Sequence, residues 1–292
     1  MVSVCVQTFN QAAYIAQCLD SVLEQKTTFH YEILLGDDSS TDGTAEICKN
    51  YARKFPDKIR LFQHQKQNNI LVNGEFTGLF NSIYNFYSAK GKYLAYCDGD
   101  DYWTDSSKLQ KQVDFLERHK DYVLAYHAAM FVDEHGFPLP DEDFVAKTCR
   151  DFSSEELQKA IVQPIISTWC FKNIVENIPE ELTKTLNADN FWLSLLGRHG
   201  QGKFLPNILP SHYRIHKKGI WSLLEKEKQV NSKRTTYKNL SQYYFRNLNP
   251  ELGKYFEYRS KNYTKMLIMY NLKDLNFIKV LKNSFILLKS GY

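Results

Sequence analysis

Short apolar, β-rich runs alternate with amphipathic helical stretches through the first 130 or so residues, and this alternation constrains the fold more than anything else in the chain. The runs are Val2–Val6, Tyr31–Leu35, Ile59–Phe62, Lys92–Cys97 and Tyr122–Ala129. Between them, apolar residues recur at helical spacing: Ile15, Leu19, Val22 and Leu23, then Ile47 and Tyr51, then Leu109, Val113 and Leu116. Phe76–Ser88 also reads as a helix, closed by Gly91. Asp42 is a predicted N-cap, Asp105 or Ser106 another, and Pro56 a stop signal. Strands alternating with helices through short links predict a parallel, doubly wound α/β sheet. Ligands of such sheets sit beyond the carboxyl ends of the strands. Three polar segments fall at such ends, Gln7–Asn10, Asp37–Ser40 and Asp98–Asp101, so topology alone gathers them around one crevice.

After residue 130 the pattern loosens. Helical stretches are expected around Glu155–Ile161 and Phe191–Leu196, and a mostly helical segment after 225. That last segment, 225–292, carries 14 Lys+Arg against 5 Asp+Glu, a surplus of +9, while the rest of the chain stands at −5. An acidic body with a basic, aromatic tail suggests two jobs in one chain. No apolar run approaches the ~20 residues of a spanning helix. The six cysteines are scattered without a C-x-x-C pair, as buried free thiols are, which suggests a reducing compartment and no zinc. Met1-Val2-Ser3-Val4 enters a strand with no charged or apolar leader, so the expectation is no signal peptide and a cytoplasmic chain.

Asp98-Gly99-Asp100-Asp101 is the most informative piece. Three carboxylates within four residues repel one another unless a cation neutralises them. Hard divalent ions such as Mg²⁺ and Mn²⁺ prefer carboxylate oxygen and often bridge to phosphates. Gly99 would let the backbone bend closely past a ligand. A calcium loop starting at Asp98 fails, because its sixth position is Trp103 and not glycine. Asp37 and Asp38 suit turn formation, and equally a hydrogen bond to a base or ribose; no G-x-G-x-x-G follows the first strand, so a dinucleotide cradle is missing. His127, on a predicted strand, reads as a core residue rather than a ligand, and Asp133-Glu134 as solvated loop.

With those residues in hand, the chain resembles glycosyltransferase family 2. Val2-Ser3-Val4-Cys5-Val6-Gln7-Thr8-Phe9-Asn10 is similar to that family's opening strand, and Glu32 through Thr44 to its second strand and acidic Ser/Thr-Asp-Gly-Thr turn. Lys92 through Trp103 resembles its strand and D-x-D metal motif, and Lys108–Glu117 extends the likeness towards bacterial surface-polysaccharide transferases. The resemblance covers about residues 1–222 and implies a GT-A fold and inverting transfer from a nucleotide sugar, UDP-linked by first expectation. It implies that Gln7, Thr8, Phe9, Asn10, Asp38 and Asp98 bind the nucleotide sugar, with Asp100 near the ribose. It implies that Asp100 and Asp101 reach Mn²⁺ or Mg²⁺ on the diphosphate. The family's general base precedes a Gly-rich turn and strand, and Asp189 is the residue here that fits, although Ala188-Asp189 departs from the usual Glu-Asp or Gly-Asp. Tyr213-Arg214-Ile215-His216 with Trp221 resembles a C-terminal segment of the same subgroup. His216 is thereby a candidate metal ligand, Arg214 a diphosphate contact and Trp221 a stacking residue.

The expected division is 1–224 as the GT-A domain, with a nucleotide-sugar half to 101 and an acceptor half to 224, and 225–292 as a basic helical extension. Expected partners are a nucleotide-sugar donor and a saccharide or lipid-linked saccharide acceptor, with no nucleic acid. Ile278, Leu281, Phe285 and Leu288 repeat at three- and four-residue steps beside Lys279, Lys282 and Lys289, so the tail either lies on an anionic membrane, at the inner face of the cell membrane, or packs on the chain or in a homodimer. The rival functions are metal-dependent nucleotidyl transfer and a non-catalytic sugar- or nucleotide-binding module.

Overall fold

The structure is a computed structural model, and it describes residues 1–72, 74–186, 188–217, 219, 224–273 and 277–289. The strands are β1 (Val2–Thr8), β2 (Tyr31–Asp37), β3 (Ile59–Gln63), β4 (Leu71–Val72), β5 (Glu75–Phe76), β6 (Tyr93–Tyr96), β7 (Tyr122–Tyr126), β8 (Ala129–Val132), β9 (Cys170–Lys172), β10 (Gln201–Phe204) and β11 (Ser211–Arg214). The helices are α1 (Ile15–Leu23), α2 (Thr44–Lys54), α3 (Leu79–Ser88), α4 (Lys108–Arg118), α5 (Glu142–Thr148), α6 (Ser154–Gln158), α7 (Ala188–Gly197), α8 (Lys226–Arg246), α9 (Pro250–Lys273) and α10 (Phe277–Lys289).

The chain divides into two compact units, one of residues 1–176 and 193–215, the other of 177–192 and 216–292. The first unit holds a seven-stranded sheet in the order β10-β7-β9-β6-β1-β2-β3. β1 is central because it is apolar on both faces: Val2, Val4 and Val6 are sealed, and so is Cys5. It pairs in parallel with β2 on one side and β6 on the other. Helices α1 and α4 press Cys18, Leu19, Val22, Leu109, Val113 and Leu116 into the core. Five of the six cysteines are buried, the exception being the half-buried Cys149.

Several expectations are corrected. The sheet is not wholly parallel: β9, which the sequence did not announce, inserts antiparallel between β6 and β7. Tyr122–Ala129 is not one strand. It stops at Tyr126, and the chain resumes as β8, which leaves the main sheet to pair with β11. Helix α3 starts at Leu79 rather than Phe76, because Leu71–Val72 and Glu75–Phe76 form a small hairpin ahead of it. Gly91 does not close α3, which ends at Ser88; a Cβ there would sit 2.5 Å from the Ser3 backbone nitrogen, so close strand packing is its role. Gly43, not Asp42, occupies the N-cap of α2; the Asp42 Oδ1 accepts from the Thr44 amide at 3.0 Å and organises the turn instead. Likewise Ser107 is the N-cap of α4, and Asp105 Oδ1 accepts from the Ser107 amide at 2.8 Å.

The second unit is helical. α8 and α9 pack along each other, with Phe256 stacked between Tyr237 and Tyr244 at centroid distances of 5.9 and 5.6 Å. Residues 177–192 belong with these helices and not with the sheet. Arg246 clasps Glu181 at 2.6 and 2.8 Å, Asn239 donates to the Lys184 carbonyl at 2.9 Å, and Phe191 meets Tyr243 edge-on. By compactness the second unit resumes at residue 216, while the expected boundary at 224/225 rests on the charge and composition of the tail.

Candidate active site

Three strand ends meet in the first unit. In register, Thr8 of β1 stands opposite Asp37 of β2, and Cys5 opposite Tyr96 of β6. Backbone hydrogen bonds continue past the strands: the Asp38 amide donates to the Thr8 carbonyl at 3.0 Å, and the Gly99 amide to the Gln7 carbonyl at 2.9 Å. Gln7–Asn10, Asp37–Ser40 and Asp98–Asp101 are therefore stitched together by main chain before any side chain is considered. Gly99 is needed for this seam, since a Cβ there would lie 2.5 Å from Gln11 Oε1 and 2.9 Å from Thr8 Cβ. Asn10 and Ser39 both adopt left-handed backbone, φ 52° and 64°. Such conformations persist in non-glycine residues only where neighbours hold them. Asn10 Oδ1 accepts from the Thr41 amide at 2.8 Å, and the Ser39 hydroxyl donates to the His64 carbonyl at 2.7 Å.

Burial leaves the acids of this crevice unsatisfied. Asp38 is 6% exposed; one oxygen accepts from Asn69 Nδ2 at 2.6 Å and the other, Oδ1, has no partner. Burial, reinforced by the charge of Asp37, pushes its carboxyl up to about 6. Asp37 is raised as well, chiefly by burial. Gln7 Oε1 is a further buried acceptor without a donor, and beside it Phe9 projects half-exposed. Asp101 is 1% exposed. Its Oδ1 accepts from the Arg214 amide at 3.0 Å, while Oδ2 is buried without a close hydrogen bond, the Ser167 hydroxyl giving the carboxyl only weak support. Burial, with Asp100 and Asp98 alongside, raises its carboxyl well above the usual range. A buried carboxylate with a weakly supported oxygen next to two further acids is the chemistry that a hard divalent cation satisfies. Among the described residues no group of three or more His, Cys, Asp or Glu side chains is placed to hold a metal ion. Mg²⁺ and Mn²⁺ commonly complete their coordination with phosphate and water, so a single carboxylate oxygen can contribute to such a site.

Arg214 sits at the end of β11, 5% exposed, and its guanidinium binds the chain itself. Nε donates to the Asp100 carbonyl at 2.9 Å, Nη1 to the Glu134 carbonyl at 3.1 Å and Nη2 to Gln17 Oε1 at 2.7 Å. Tyr14 and Tyr102 flank the cation. It therefore fastens the carboxylate loop to β11 and, through main-chain carbonyls, to the 133–134 turn. His127 is buried, with Nε2 3.3 Å from the Ser211 hydroxyl, as a core histidine would be. Sequence reasoning missed Lys108, fully buried, whose Nζ donates to Gln112 Oε1 at 2.8 Å and lies 4.1 Å from the centroid of the Trp103 ring. Burial pushes that ammonium down to about 8. A Lys among charged neighbours on a surface-like helix offers no signal of this. Asn69 was missed too, for want of any motif. In the second unit, Asp189 stands half-buried in the first turn of α7 and His216 is buried. Trp221 lies outside the described residues. A cavity of about 250 Å³ between β8 and α5 is lined by Met130, Phe131, Pro140 and Val145, and by none of the predicted donor-site residues.

Comparison with known proteins bears on this arrangement directly. The family described as "Glycosyl transferase family 2" matches residues 3–170, a span containing all three strand ends. The chain belongs to that family. The uncharacterized protein Rv1520 of Mycobacterium tuberculosis is a family 2 chain's relative here at 32% identity over 219 residues, 73% of this chain and 58% of that one. The minor teichoic acid biosynthesis protein GgaB of Bacillus subtilis is 23% identical over 218 residues, 74% of this chain and 23% of its own length. The chain thus spans little more than half, or less, of these curated relatives. Among solved structures, S. aureus TarS residues 1–349 in complex with UDP-GlcNAc covers 97% of this chain and 88% of that one, with TM-score 0.57 and 15% identity. The mannosyltransferase PcManGT of Pyrobaculum calidifontis, in complex with GDP-Man and Mn²⁺, covers 93% and 75%, with TM-score 0.55 and 16% identity. These likenesses establish the GT-A-type α/β fold of family 2, with its mostly parallel central sheet.

Proposed function

We propose that this chain is an inverting, metal-dependent glycosyltransferase. It moves a sugar from a nucleotide-sugar donor, with UDP-sugars the first candidates, to a hydroxyl of a saccharide or lipid-linked saccharide in surface-polysaccharide synthesis, in the cytoplasm at the inner face of the membrane. The observation that carries the reading is the crevice of three strand ends with the buried, weakly supported carboxylate oxygen of Asp101. Asp101 and Asp100, with His216, would hold Mn²⁺ or Mg²⁺, which would neutralise charge growing on the leaving diphosphate. Gln7, Thr8, Phe9, Asn10 and Asp38 border the nucleotide; the free acceptors Asp38 Oδ1 and Gln7 Oε1 suit the N–H groups of a base. Asp98 completes the acidic loop, with Asp100 near the ribose, and Arg214 keeps that loop in place. Trp221 is a stacking surface. Asp189 removes the acceptor proton as the hydroxyl attacks the anomeric carbon opposite the leaving group, which inverts it. UDP-GlcNAc in TarS and GDP-Man with Mn²⁺ in PcManGT support the donor and metal classes. GgaB, named for teichoic acid synthesis, supports the acceptor class. Family membership also favours sugar transfer over nucleotidyl transfer.

The test is a thermal-shift screen of nucleotide sugars with and without Mn²⁺, followed by a nucleoside-diphosphate release assay. One donor should raise the melting temperature only when metal is present. Asp101→Asn should abolish that shift and turnover while remaining folded. Full metal-dependent activity in Asp101→Asn would remove the metal assignment, and donor binding without release in the presence of any saccharide acceptor would leave a binding module.

A further inference from the structure

Helix α10 is apolar on two sides, and only one of them is covered. Val280, Ile286 and Leu287 are half-buried where the helix packs along α9. Ile278, Leu281, Phe285 and Leu288, spaced by three and four residues on one face, are 82%, 71%, 58% and 71% exposed. The adjoining end of α9 exposes Met266, Met269 and Leu272 as well. A cluster of large exposed apolar side chains marks an interaction site.

Charge selects the partner. α10 contains three lysines and no acid, and Arg259–Lys273 of α9 contains four basic residues and no acid. Lys265, Lys279 and Lys282 are exposed around the apolar face; Lys279 also pairs with Glu227 at 2.8 Å. A second copy of this chain would set one basic surface against another. An anionic lipid surface matches both properties, since lysine stems lie along apolar surface while their ammonium groups reach phosphate. No helix among the described residues is long and apolar enough to cross a membrane, so the contact is with the interface and not a span. We propose that α10 and the end of α9 form a surface that docks on anionic membranes, with Ile278, Leu281, Phe285 and Leu288 entering the headgroup–acyl boundary. The inference stands on this surface alone and does not depend on the donor chemistry.

Vesicle flotation of the 292-residue chain tests it, with phosphatidylcholine vesicles compared against vesicles containing phosphatidylglycerol. The chain should float with the anionic vesicles and much less with the neutral ones, and binding should weaken as salt rises. The double substitution Ile278→Glu with Leu281→Glu should reduce binding at least about tenfold, because it removes two inserted side chains and adds two charges. Both positions face water, so melting temperature and circular dichroism should not change; Ile278→Ser provides a milder variant if they do. Absence of flotation with anionic vesicles, or equal flotation by the double variant, overturns the proposal. So does a wild-type dimer, seen by sedimentation velocity, that becomes monomeric in the double variant while no vesicle is bound. None of these readouts involves sugar transfer.

Discussion

Asp38 is held in a state that water alone would not choose. Its folded carboxyl titrates near 6, raised by burial and by Asp37, so above that pH the fold carries a poorly solvated charge. A raised folded value means that the stabilising contribution is complete below the ordinary Asp range near pH 4 and lost as pH rises through about 6. Asp38→Asn, permanently neutral, should therefore melt higher than wild type at pH 7.5, by about 2–4 °C, the shift that roughly 1 kcal/mol produces in a domain of this size. Below pH 4 the two should converge. Donor affinity should move the other way, falling about tenfold with the loss of one hydrogen bond to the base. Calorimetry across pH together with donor titration checks both signs; equal melting curves at pH 7.5 would mean that the carboxylate is solvated. Arg214 makes a different demand, for shape. Its fork reaches the Asp100 and Glu134 carbonyls and Gln17 at once, which a lysine does not. Arg214→Lys should lose about 1–3 kcal/mol in urea unfolding from the unpaired carbonyls. It should weaken Mn²⁺ and donor binding together. Weakened donor binding with unchanged stability would make Arg214 a phosphate contact instead.

At the scale of elements, the site is made by strand ends that the backbone sews together, and Gly99 is one of the close approaches in that seam. A methyl group there must displace Gln11 or the end of β1. Gly99→Ala should cost about 1–3 kcal/mol, the usual penalty for an overpacked site. Because the shift falls on the loop that carries Asp98, Asp100 and Asp101, metal affinity should drop with it. Urea denaturation and Mn²⁺ titration measure the two, and a stable variant with unchanged metal binding would show that the loop has slack. The strands and helices that build this seam are legible in the sequence because each is both periodic and apolar. The elements that are not legible are short or borrowed from afar. β9 covers only Cys170–Lys172, too few residues to show a period, and its pairing with β6 and β7 comes from segments far away in the chain.

For the whole molecule, the second unit is more than a tail. Glu181, Lys184 and Phe191 are tied to α8, so residues 177–192 fold with helices that follow them by some fifty positions. Asp189, the proposed base, is carried by that unit. Asp189→Asn should leave donor affinity and the melting temperature near wild type while lowering turnover by about 10²–10⁴-fold, the usual general-base contribution. Isothermal titration with donor and metal, set beside the turnover number with a working acceptor, separates the roles. A rate that survives while donor affinity falls would make Asp189 a binding residue and move the base elsewhere.

The sequence by itself determined the α/β class, the three acidic and polar strand ends and their convergence. Parallel strands in this order can only gather their carboxyl ends on one edge, and Val2–Val6, Tyr31–Leu35 and Lys92–Cys97 are apolar enough to be read as buried without coordinates. It also showed the four-residue apolar face of α10, since a period can be counted. Only the tertiary structure decided which of those groups are left wanting a partner. That Asp101 keeps one oxygen without a close hydrogen bond, that Asp38 leans on Asn69, and that Arg214 spends its donors on the chain are outcomes of long-range packing. It decided too that Lys108 lies in the core while Leu281 faces water. Periodicity records which side chains share a face, but burial depends on what the rest of the chain brings against that face.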